Sequence, residues 1–489
     1  MNTSSVNTRR RFLAGIGAGA LVLGFDPLSR GWISEAQAAP FDHVPELDGV
    51  VVTDPASVAP YAVDAGNTVH RTPMAVLFPG SVRDIQKMVK FAKKRGIKVA
   101  ARGQGHTTYG QSQVSGGLVI DMASLAAIHS IDRQRADVAA GMTWNELVKT
   151  SVPLGFAPPV LTGFIGLSVG GTLSVGGISG GYARGAQVDH VQELEVVTGE
   201  GELERCSKRR NSDLFDACLA GLGQCGIITR AVVDMVPAKK NARTFLVNYL
   251  DNTTFFRDFR KLLNRAEFDD LYMLGVPNPA GGWVYQLNAT KFYDPGSEPN
   301  GDSLLRNLAV PPSAAEVNDG TYLEYVLRVD TLIDFLKSIG MWEGVLHPWF
   351  DVFLPETTVE GYVGETLAQL TPEDVGATGF LLLFPLKRSK LNQPFLRVPR
   401  HGEFVYLFDI LTAAAAPGPN PTFEARMIAR NRRLFERARQ LGGTRYPIGT
   451  LDFTRGDWKF QYGESWDDFK CAKDRYDPAR ILTPGPGIF

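Results

Sequence analysis

The chain has 489 residues, of which 44% are apolar and 21% charged, and its formal net charge is −1. A chain of this length exceeds what one hydrophobic core usually supports, so we expect two domains. The near-neutral charge excludes the basic footprint of a nucleic-acid-binding protein. The four cysteines, Cys206, Cys218, Cys225 and Cys471, follow no metal-binding spacing. They are predicted to be reduced, buried thiols, although a disulfide between them stays open.

The first forty residues have the features of an export signal. Paired arginines in TRRRFL at 8–13 precede a weakly apolar, glycine-rich run at 14–23, and Ala36-Gln37-Ala38 offers a small-residue cleavage pattern. This segment resembles a twin-arginine signal peptide. We therefore predict that residues 1–38 direct export, to the periplasm or the extracellular space. No apolar stretch reaches the roughly 20 residues that a membrane span needs, so no span is predicted.

From residue 74 onward, patterns typical of strands and helices alternate. A strand at 74–78, a helix from 82 that ends in Lys93-Lys94-Arg95-Gly96, and a strand at 97–101 together predict one β-α-β unit. Further strands are predicted at 118–122 and 136–142, and a helix at 143–151. The segment 191–206 predicts two strands around a turn. Asp213–Leu219 predicts a short helix, and 226–237 a buried strand.

The pattern changes near residue 240. Residues 241–430 combine longer amphipathic helices with aromatic-rich strands such as FLLLFPL and EFVYLFDIL, and we predict a second domain that caps the first. A last helix at about 421–441 leads to a tail that is predicted to end in a proline-rich strand. The sequence shows no internal repeat of the solenoid or propeller type.

Two glycine-rich stretches stand out, ARGQGHTTYGQ at 101–111 and SVGGTLSVGGISGG at 168–181. Glycine favours neither helix nor strand, so the second stretch is predicted to be irregular. The first begins like a dinucleotide fingerprint, but Thr108 occupies the third glycine position and no helix follows. There is also no phosphate loop and no HExxH pair, so no metal site is predicted. Two such loops offer backbone N–H groups to pyrophosphate oxygens, or they are turns in a mixed sheet.

These stretches, together with DLFDACLAGLGQCGIITRA, GMWEGVLHPWFDVFLPET and the tail YDPARILTPGPGIF, resemble the flavoproteins related to cytokinin dehydrogenase. That family lies within the vanillyl-alcohol-oxidase superfamily, whose members have a PCMH-type FAD-binding domain. The resemblance runs from about residue 64 to residue 489.

The resemblance implies an α+β fold. A PCMH-type FAD-binding domain of two α/β subdomains would span 45–240, and a substrate-binding cap domain with an antiparallel sheet 241–430. A C-terminal segment, 431–489, would return to the FAD domain. It also implies an FAD-dependent oxidoreductase that oxidises a small organic substrate by hydride transfer, with oxygen or a quinone as the electron acceptor.

The resemblance also implies the cofactor contacts. In this family a histidine of the first loop carries the flavin covalently, and His106 occupies that position. Because the second loop lacks a cysteine, a single covalent bond to FAD is predicted. The other predicted FAD-binding residues are Arg102, Gly103, Gln104, Gly105, Thr107 and Gln111 from the first loop, Ser168, Ser174 and Ile178 from the second, Ile228 from its strand and Thr483 from the tail.

Two departures from the family concern the substrate. The family aspartate that acts on the substrate amine corresponds to Gly163, which has no side chain to accept a proton. A family glutamate corresponds to Tyr272, which we predict as a base or orienting group, with Asp269 and Asp270 as further candidates. His347 is expected to shape the domain. A cytokinin dehydrogenase with an unusual base and a catalytically silent ligand-binding protein stay open as alternatives.

Overall fold

The computed structural model describes residues 44–489 and the backbone of 22–26 and 31–34. The two short pieces are strands, Val22–Asp26 and Gly31–Ser34, which pair antiparallel. The paired arginines and the cleavage pattern of the predicted signal peptide lie outside the described residues. No helix in the described part of the chain combines the length and the apolar character that crossing a bilayer requires.

The first sheet has four strands, in the spatial order Val50–Val52, Ala75–Phe78, Leu118–Asp121 and Val99–Arg102. The first pair is antiparallel and the others are parallel. Helix Val82–Arg95 buries Ile85, Met88, Val89 and Ala92, which recur at helical spacing, and ends at Gly96 with φ 67°. The predicted β-α-β unit is present, but a third strand lies between its two strands.

The second sheet has five antiparallel strands, in the spatial order Leu203–Cys206, Val191–Thr198, Gly226–Asp234, Arg135–Ala139 and Ile128–Ile131. Helices Trp144–Ser151 and Ser212–Cys218 accompany it. The prediction that 168–181 contains no helix is wrong, because Val169–Leu173 forms a short helix. Its two glycines are tolerated in a single turn that the Ser168 side chain caps by accepting the Gly171 N–H.

The second half of the chain forms an antiparallel sheet of eight strands, which we call the cap sheet. Their spatial order is Glu316–Thr321, Asn241–Tyr249, Trp283–Tyr293, Asp270–Pro277, Phe380–Lys387, Phe404–Leu411, Phe350–Pro355 and Thr444–Arg445. Helices Asn252–Arg265, Val359–Leu367 and Pro421–Gln440 cover its outer face, and helix Tyr322–Ser338 contacts its first two strands. The mixed helix and strand content of the protein is as predicted.

Shorter elements complete the described chain: helices Pro55–Val58, Gly301–Leu304, Pro372–Val375, Arg455–Tyr462 and Trp466–Tyr476, and the paired short strands Phe156–Ala157 and Val236–Pro237. Residue 430, where the sequence predicts the cap domain to end, lies inside helix Pro421–Gln440. The cap sheet takes its last strand from residues beyond that point. Residues on both sides of position 430 therefore contribute to the cap sheet.

The C-terminal tail packs against the first sheet. Val99 N donates to Ile481 O at 2.8 Å, and Thr483 N donates to Val99 O at 2.7 Å. The predicted proline-rich strand is wrong, because only one isolated bridge, between Val99 and Leu482, forms there. Prolines at 484 and 486 have no N–H to continue a ladder.

All four cysteines are free thiols. Cys206, Cys218 and Cys225 are buried, as predicted, whereas Cys471 is exposed on helix Trp466–Tyr476. Burial raises the pKa of Cys206 and of Cys225 to about 12, so both stay protonated and unreactive at neutral pH.

Candidate functional site

One large cavity separates the two glycine-rich stretches from the cap sheet. Its volume is about 810 Å³, within the range of roughly 300–1,000 Å³ that is usual for ligand sites. The glycine-rich stretches, residues 226–228 and the tail line one side, which we call the loop side. The cap sheet and helix Tyr322–Ser338 line the other side, which we call the roof.

The structure brings together eleven of the twelve predicted FAD-binding residues, which all line this cavity: Gly103, Gln104, Gly105, His106, Thr107, Gln111, Ser168, Ser174, Ile178, Ile228 and Thr483. Arg102 lies behind the first loop instead. Its guanidinium donates to Val63 O at 2.5 Å, and a Cβ added to Gly105 would come within 2.4 Å of it. Arg102 therefore supports the loop from behind, because its strand directs the side chain away from the cavity.

A second support of the first loop was missed by sequence reasoning. The buried carboxyl of Asp64 accepts Gly110 N–H at 2.7 Å, Gly66 N–H at 3.1 Å and the Thr107 hydroxyl at 3.1 Å. Burial raises the pKa of Asp64 to about 6, against the lowering effect of these donors and of Arg102. Asp64 precedes the loop by some forty residues, so no local pattern reveals the contact.

The His106 ring faces the cavity and is enclosed by aromatic rings. Its centroid lies 4.9 Å from that of Phe164, 5.3 Å from that of Trp349 and 5.8 Å from that of Trp342. Burial, with smaller effects of His347 and Lys337, lowers the pKa of His106 to about 3. The imidazole is therefore neutral at physiological pH, and one ring nitrogen keeps its lone pair.

His347 joins the cap to the first domain, as its expected structural role requires. Its Nδ1 lies 2.8 Å from Ala65 O, and its backbone N donates to Gly66 O at 2.9 Å. A carbonyl oxygen only accepts, so Nδ1 carries the proton. Burial lowers the pKa of His347, which keeps the ring neutral. The same side chain contacts Trp342, at 4.7 Å between ring centroids.

The two loops meet closely at Gly103. A Cβ at this position would lie 2.0 Å from Ser168 Oγ, so a larger residue here requires the Ser168 side chain to move. The second loop is fixed in turn by Gly177, whose N–H donates to the Tyr446 hydroxyl at 3.2 Å and whose φ is 74°. The loop side is thus a narrow cradle of backbone with little room for side chains.

Gly163 lines the cavity in an open position. A Cβ added there would meet no atom within 4 Å. The segment around it is held by Asp330, which accepts Ile165 N–H at 3.0 Å and the Asn145 side-chain amide at 2.9 Å. A side chain at residue 163 would therefore enter the cavity without displacing the fold.

Alternation along the cap strands decides which residues form the roof. Leu381, Leu383, Leu271 and Met273 are fully buried on the opposite face of the sheet. The residues between them line the cavity: Asp270, Tyr272, Leu274 and Val276 on one strand, Phe380, Leu382 and Phe384 on the next, and Leu407, Asp409 and Leu411 on the third. The roof is mainly apolar.

The predicted catalytic residue Tyr272 lies in this roof beside a charged group. Its ring centroid is 5.7 Å from that of Phe384 and 5.8 Å from the guanidinium carbon of Arg328. Burial alone would lower the pKa of Arg328, but the neighbouring tyrosines and Asp270 raise it, so the guanidinium stays charged. Tyr272 is placed to orient a ligand against a buried positive charge.

The two further candidates next to Tyr272 differ. Asp269 accepts Phe292 N–H at 2.8 Å and pairs with Lys291 at 3.3 Å, so its carboxylate is engaged in the sheet. Asp270 is enclosed, and burial raises its pKa against the lowering effect of Arg328. Its Oδ1 has no hydrogen-bond partner among the described residues. Asp270 is therefore the more available of the two.

Sequence reasoning missed a second pair of carboxyl groups in the roof. Asp351 and Asp409 are opposite each other on adjacent antiparallel strands, and both line the cavity. Burial raises the pKa of both groups, and the charge of Asp351 raises that of Asp409 further. The signal was present in the sequence as a lone aspartate inside each of two apolar strands, FDVFLP and FVYLFDIL.

Comparisons with known proteins match two parts of the chain. A model of the FAD-binding domain matches residues 73–207, and one of cytokinin dehydrogenase 1, FAD and cytokinin binding, matches residues 244–489. An uncharacterized oxidoreductase, ORF5 in the fasciation locus of Rhodococcoides fascians, is 34% identical over 90% of this chain and 99% of its own length. The chain belongs to the cytokinin dehydrogenase-like flavoproteins.

Plant members of the family are similarly distant. Cytokinin dehydrogenase 2 of Arabidopsis thaliana is 33% identical over 91% of this chain and 94% of its own. Cytokinin dehydrogenase 4 of Oryza sativa subsp. japonica is 34% identical over 91% of this chain and 93% of its own length. The resemblance read from the motifs is confirmed, and the protein is an FAD-dependent oxidoreductase.

The loop side fits FAD on its own geometry. Gly103 meets the Ser168 side chain at a spacing that a Cβ would fill, and the absence of a side chain at Gly103 suits close approach of a flat or extended cofactor. The neutral ring of His106 faces the same space. At the opposite wall the roof supplies the polar groups that remain for a substrate.

Proposed function

We propose that the protein carries FAD on His106 through one covalent bond and oxidises a small organic substrate in the space beneath the roof. Bound FAD supplies the two-electron acceptor, and the chain supplies binding, orientation and proton transfer. The observation that carries the proposal is the convergence of eleven family-implied cofactor residues on one cavity with the family's cap sheet across it.

The state of His106 supports the covalent bond. A pKa lowered to about 3 leaves a ring nitrogen with a free lone pair, which is the form needed to bond a carbon of the cofactor. The rings of Phe164, Trp342 and Trp349 restrict where the imidazole can point. A tether of this kind retains the cofactor in a compartment that does not resupply it.

The residues on the substrate side of the cavity differ from those that the resemblance assigns to cytokinin turnover. Gly163 offers no carboxylate, and Tyr272 stands where the family has a glutamate. We therefore propose that the protein oxidises a carbon next to oxygen or nitrogen in a substrate of its own, with oxygen or a quinone as acceptor. Export by the twin-arginine route, to the periplasm or beyond the cell, belongs to this proposal and rests on the sequence of residues 1–38.

Acid precipitation of the purified protein tests the tether. We expect yellow flavin to remain in the pellet of the wild type and to move to the supernatant in His106→Ala. The matched control is His401→Ala, which removes an exposed histidine and should keep the flavin in the pellet. A colourless wild-type pellet would show that the cofactor is not covalently bound.

An anaerobic substrate panel tests the oxidation. Flavin bleaching by benzyl alcohol, benzylamine or glucose supports oxidation of a substrate other than cytokinin. Bleaching by isopentenyl-adenine alone would instead support a cytokinin dehydrogenase with an unusual base. If dithionite bleaches the flavin but none of the candidate substrates does, a catalytically silent ligand-binding protein becomes the better description.

A further inference from the structure

The roof contains a pair of facing carboxyl groups in an otherwise apolar region. Asp351 lies directly opposite Asp409 in the pairing of strands Phe350–Pro355 and Phe404–Leu411. Residues that face each other in this way project from the same side of a sheet, with Cβ atoms about 5 Å apart. Here that side is the cavity, which both aspartates line.

These carboxyl groups are nearly closed off from solvent and poorly supplied with donors. Asp351 is 3% exposed and Asp409 is 4% exposed. Outside the pair, both oxygens of Asp351 and Oδ1 of Asp409 lack a hydrogen-bond partner among the described residues, while the two carboxyls lie close enough to share a hydrogen bond with each other. Buried polar atoms in folded proteins are almost always paired, so these three atoms call for an explanation.

One cation lies near the pair: the charge of Arg445 lowers the pKa of Asp351, but burial raises it more. Arg445, on the strand beside Asp351, donates to Gly449 O at 3.1 Å, and its guanidinium carbon lies 4.5 Å from the ring centroid of Phe453. The Tyr446 hydroxyl also faces the pair but accepts the Gly177 N–H. Arg445 and Tyr446 are the titratable or charged groups of the described residues that face the two carboxyls.

A shared proton resolves this arrangement. Burial raises the pKa of both aspartates, and like charge raises that of Asp409 further, so the pair keeps a proton near neutral pH. A pair with one proton carries a single negative charge and has an oxygen free to accept a second proton. The neighbouring roof residues Leu382, Leu407 and Leu411 are apolar, so they offer that oxygen no hydrogen bond from their side chains.

We propose that Asp351 and Asp409 form the proton acceptor for the substrate and take over the task that no side chain at residue 163 can perform. This inference rests on the proposed function. The O–H or N–H bond of the substrate breaks, and its proton goes to the free oxygen of the pair. The neighbouring C–H bond breaks at the same time, and its hydrogen leaves with both bonding electrons to the oxidised flavin. A carbon–oxygen or carbon–nitrogen double bond forms, and the charges balance.

The surroundings of the pair also restrict the class of substrate. Leucines 382, 407 and 411 flank the carboxyls, so the part of the substrate near the reacting carbon is apolar. One donor, an alcohol or an amine, has to point at the pair. The structure thus favours apolar primary or secondary alcohols and amines over polyhydroxylated sugars.

The test compares flavin bleaching in the holoenzyme of the wild type, Asp351→Asn, Asp409→Asn and Asp409→Glu. Cinnamyl alcohol, benzylamine and isopentenyl-adenine are mixed anaerobically with each protein, and dithionite serves as a reductant that needs no base. We expect each asparagine variant to bleach at least about 100-fold more slowly with the wild type's best compound. Dithionite should bleach all four alike, and Asp409→Glu, which keeps a carboxyl, should retain most of the rate.

A matched control and a measurement without substrate accompany the kinetics. The control variant is Asp189→Asn. Asp189 is partly buried and has a raised pKa, but it does not line the cavity. The flavin of this variant should bleach as fast as that of the wild type. The melting temperature of the holoenzyme is followed against pH. The pKa of each aspartate is higher in the folded protein than its unfolded value of about 3.9. The pair therefore stabilises the fold fully below about pH 4, and this stabilisation is lost as the pH rises through the folded-state pKa. A variant that combines Asp351→Asn with Asp409→Asn should lack this part of the fall in melting temperature.

Three results would each overturn the proposal. If Asp351→Asn and Asp409→Asn bleach within about threefold of the wild type, the pair is not the proton acceptor, while the proposed function stands. If no compound bleaches the wild type although dithionite does, the proposed function fails, and the proton-acceptor role fails with it. An unchanged pH profile of the double variant would show that the pair holds no extra proton.

Discussion

The loop side and the roof of the cavity hold their carboxyl groups in opposite ways. On the loop side, Asp64 accepts three hydrogen bonds and thereby fixes the first glycine loop. In the roof, Asp270, Asp351 and Asp409 each keep at least one buried oxygen without a partner. The difference indicates that the loop side is built as a rigid cofactor cradle, whereas the roof leaves polar groups free for a ligand.

The family comparison follows the same division. Eleven of the twelve residues implied by the family's FAD site converge on the loop side, whereas at the two positions that the resemblance assigns to its substrate chemistry this chain has Gly163 and Tyr272. On the proposed function, the difference from the family lies at the cavity wall that faces the substrate and not in the loop side. Variants that change one side of the cavity at a time test this division.

The largest effect is expected from crowding the loop side. A Cβ at Gly66 would lie 2.1 Å from the backbone oxygen of Thr108, which cannot move without the first loop. Gly66 also accepts the N–H of His347 from the cap. We expect Gly66→Ala to lower the free energy of unfolding by about 3 kcal/mol and to lose most of the flavin. Urea unfolding and the ratio of flavin to protein absorbance measure both.

The control for that variant is Gly361→Ala. Gly361 is exposed on helix Val359–Leu367, and an added Cβ meets nothing within 4 Å. Alanine in a helix should stabilise the protein by up to about 1 kcal/mol and leave the flavin in place. If Gly66→Ala behaves like this control, the loop side is not the rigid cradle inferred from its contacts.

How much of this could be predicted from sequence depends on the range of the contacts involved. The helix at 82–95 and the strands at 75–78 and 118–121 follow from local periodicity, a basic last turn and a terminal glycine. The short helix Val169–Leu173 was missed because a cap from Ser168 outweighs the low helix propensity of two glycines.

Contacts between distant segments could not be predicted from the sequence. Asp64 and Arg102 act from behind the first loop, and the pairing of Asp351 with Asp409 depends on the register of two strands far apart in the chain. No periodicity encodes which strands become neighbours. The family motif predicted residues that the structure brings to one cavity, but it gave no information on side chains that this chain has in place of the family's.

A gain of activity is expected from restoring the carboxylate that the family has on the second loop. Gly163→Asp adds a side chain to an open part of the cavity wall. We expect the rate of flavin bleaching by isopentenyl-adenine to rise about 100-fold, since a positioned base contributes roughly that much. The measurement is anaerobic stopped-flow absorbance.

The matched variant for the gain is Gly163→Asn, which has the same size and no basic oxygen of comparable strength. It should bleach like the wild type with isopentenyl-adenine. Equal gains in both variants would mean that the side chain fills space rather than accepts a proton. No gain in either would show that the roof, and not residue 163, excludes cytokinins.

The smallest effect is expected from Tyr272→Phe, which removes one hydroxyl from the roof and keeps the ring against Phe384. Arg328 keeps its own hydrogen bond, at 2.7 Å to Tyr325 O, so the fold should not change. If Asp351 and Asp409 accept the substrate proton, the bleaching rate should fall less than about tenfold, and the loss should appear mainly in KM. A fall of 100-fold or more in kcat, with KM unchanged, would assign the base to Tyr272 instead. The roof would then work as the sequence alone predicts, with the aspartate pair serving only the structure of the cap.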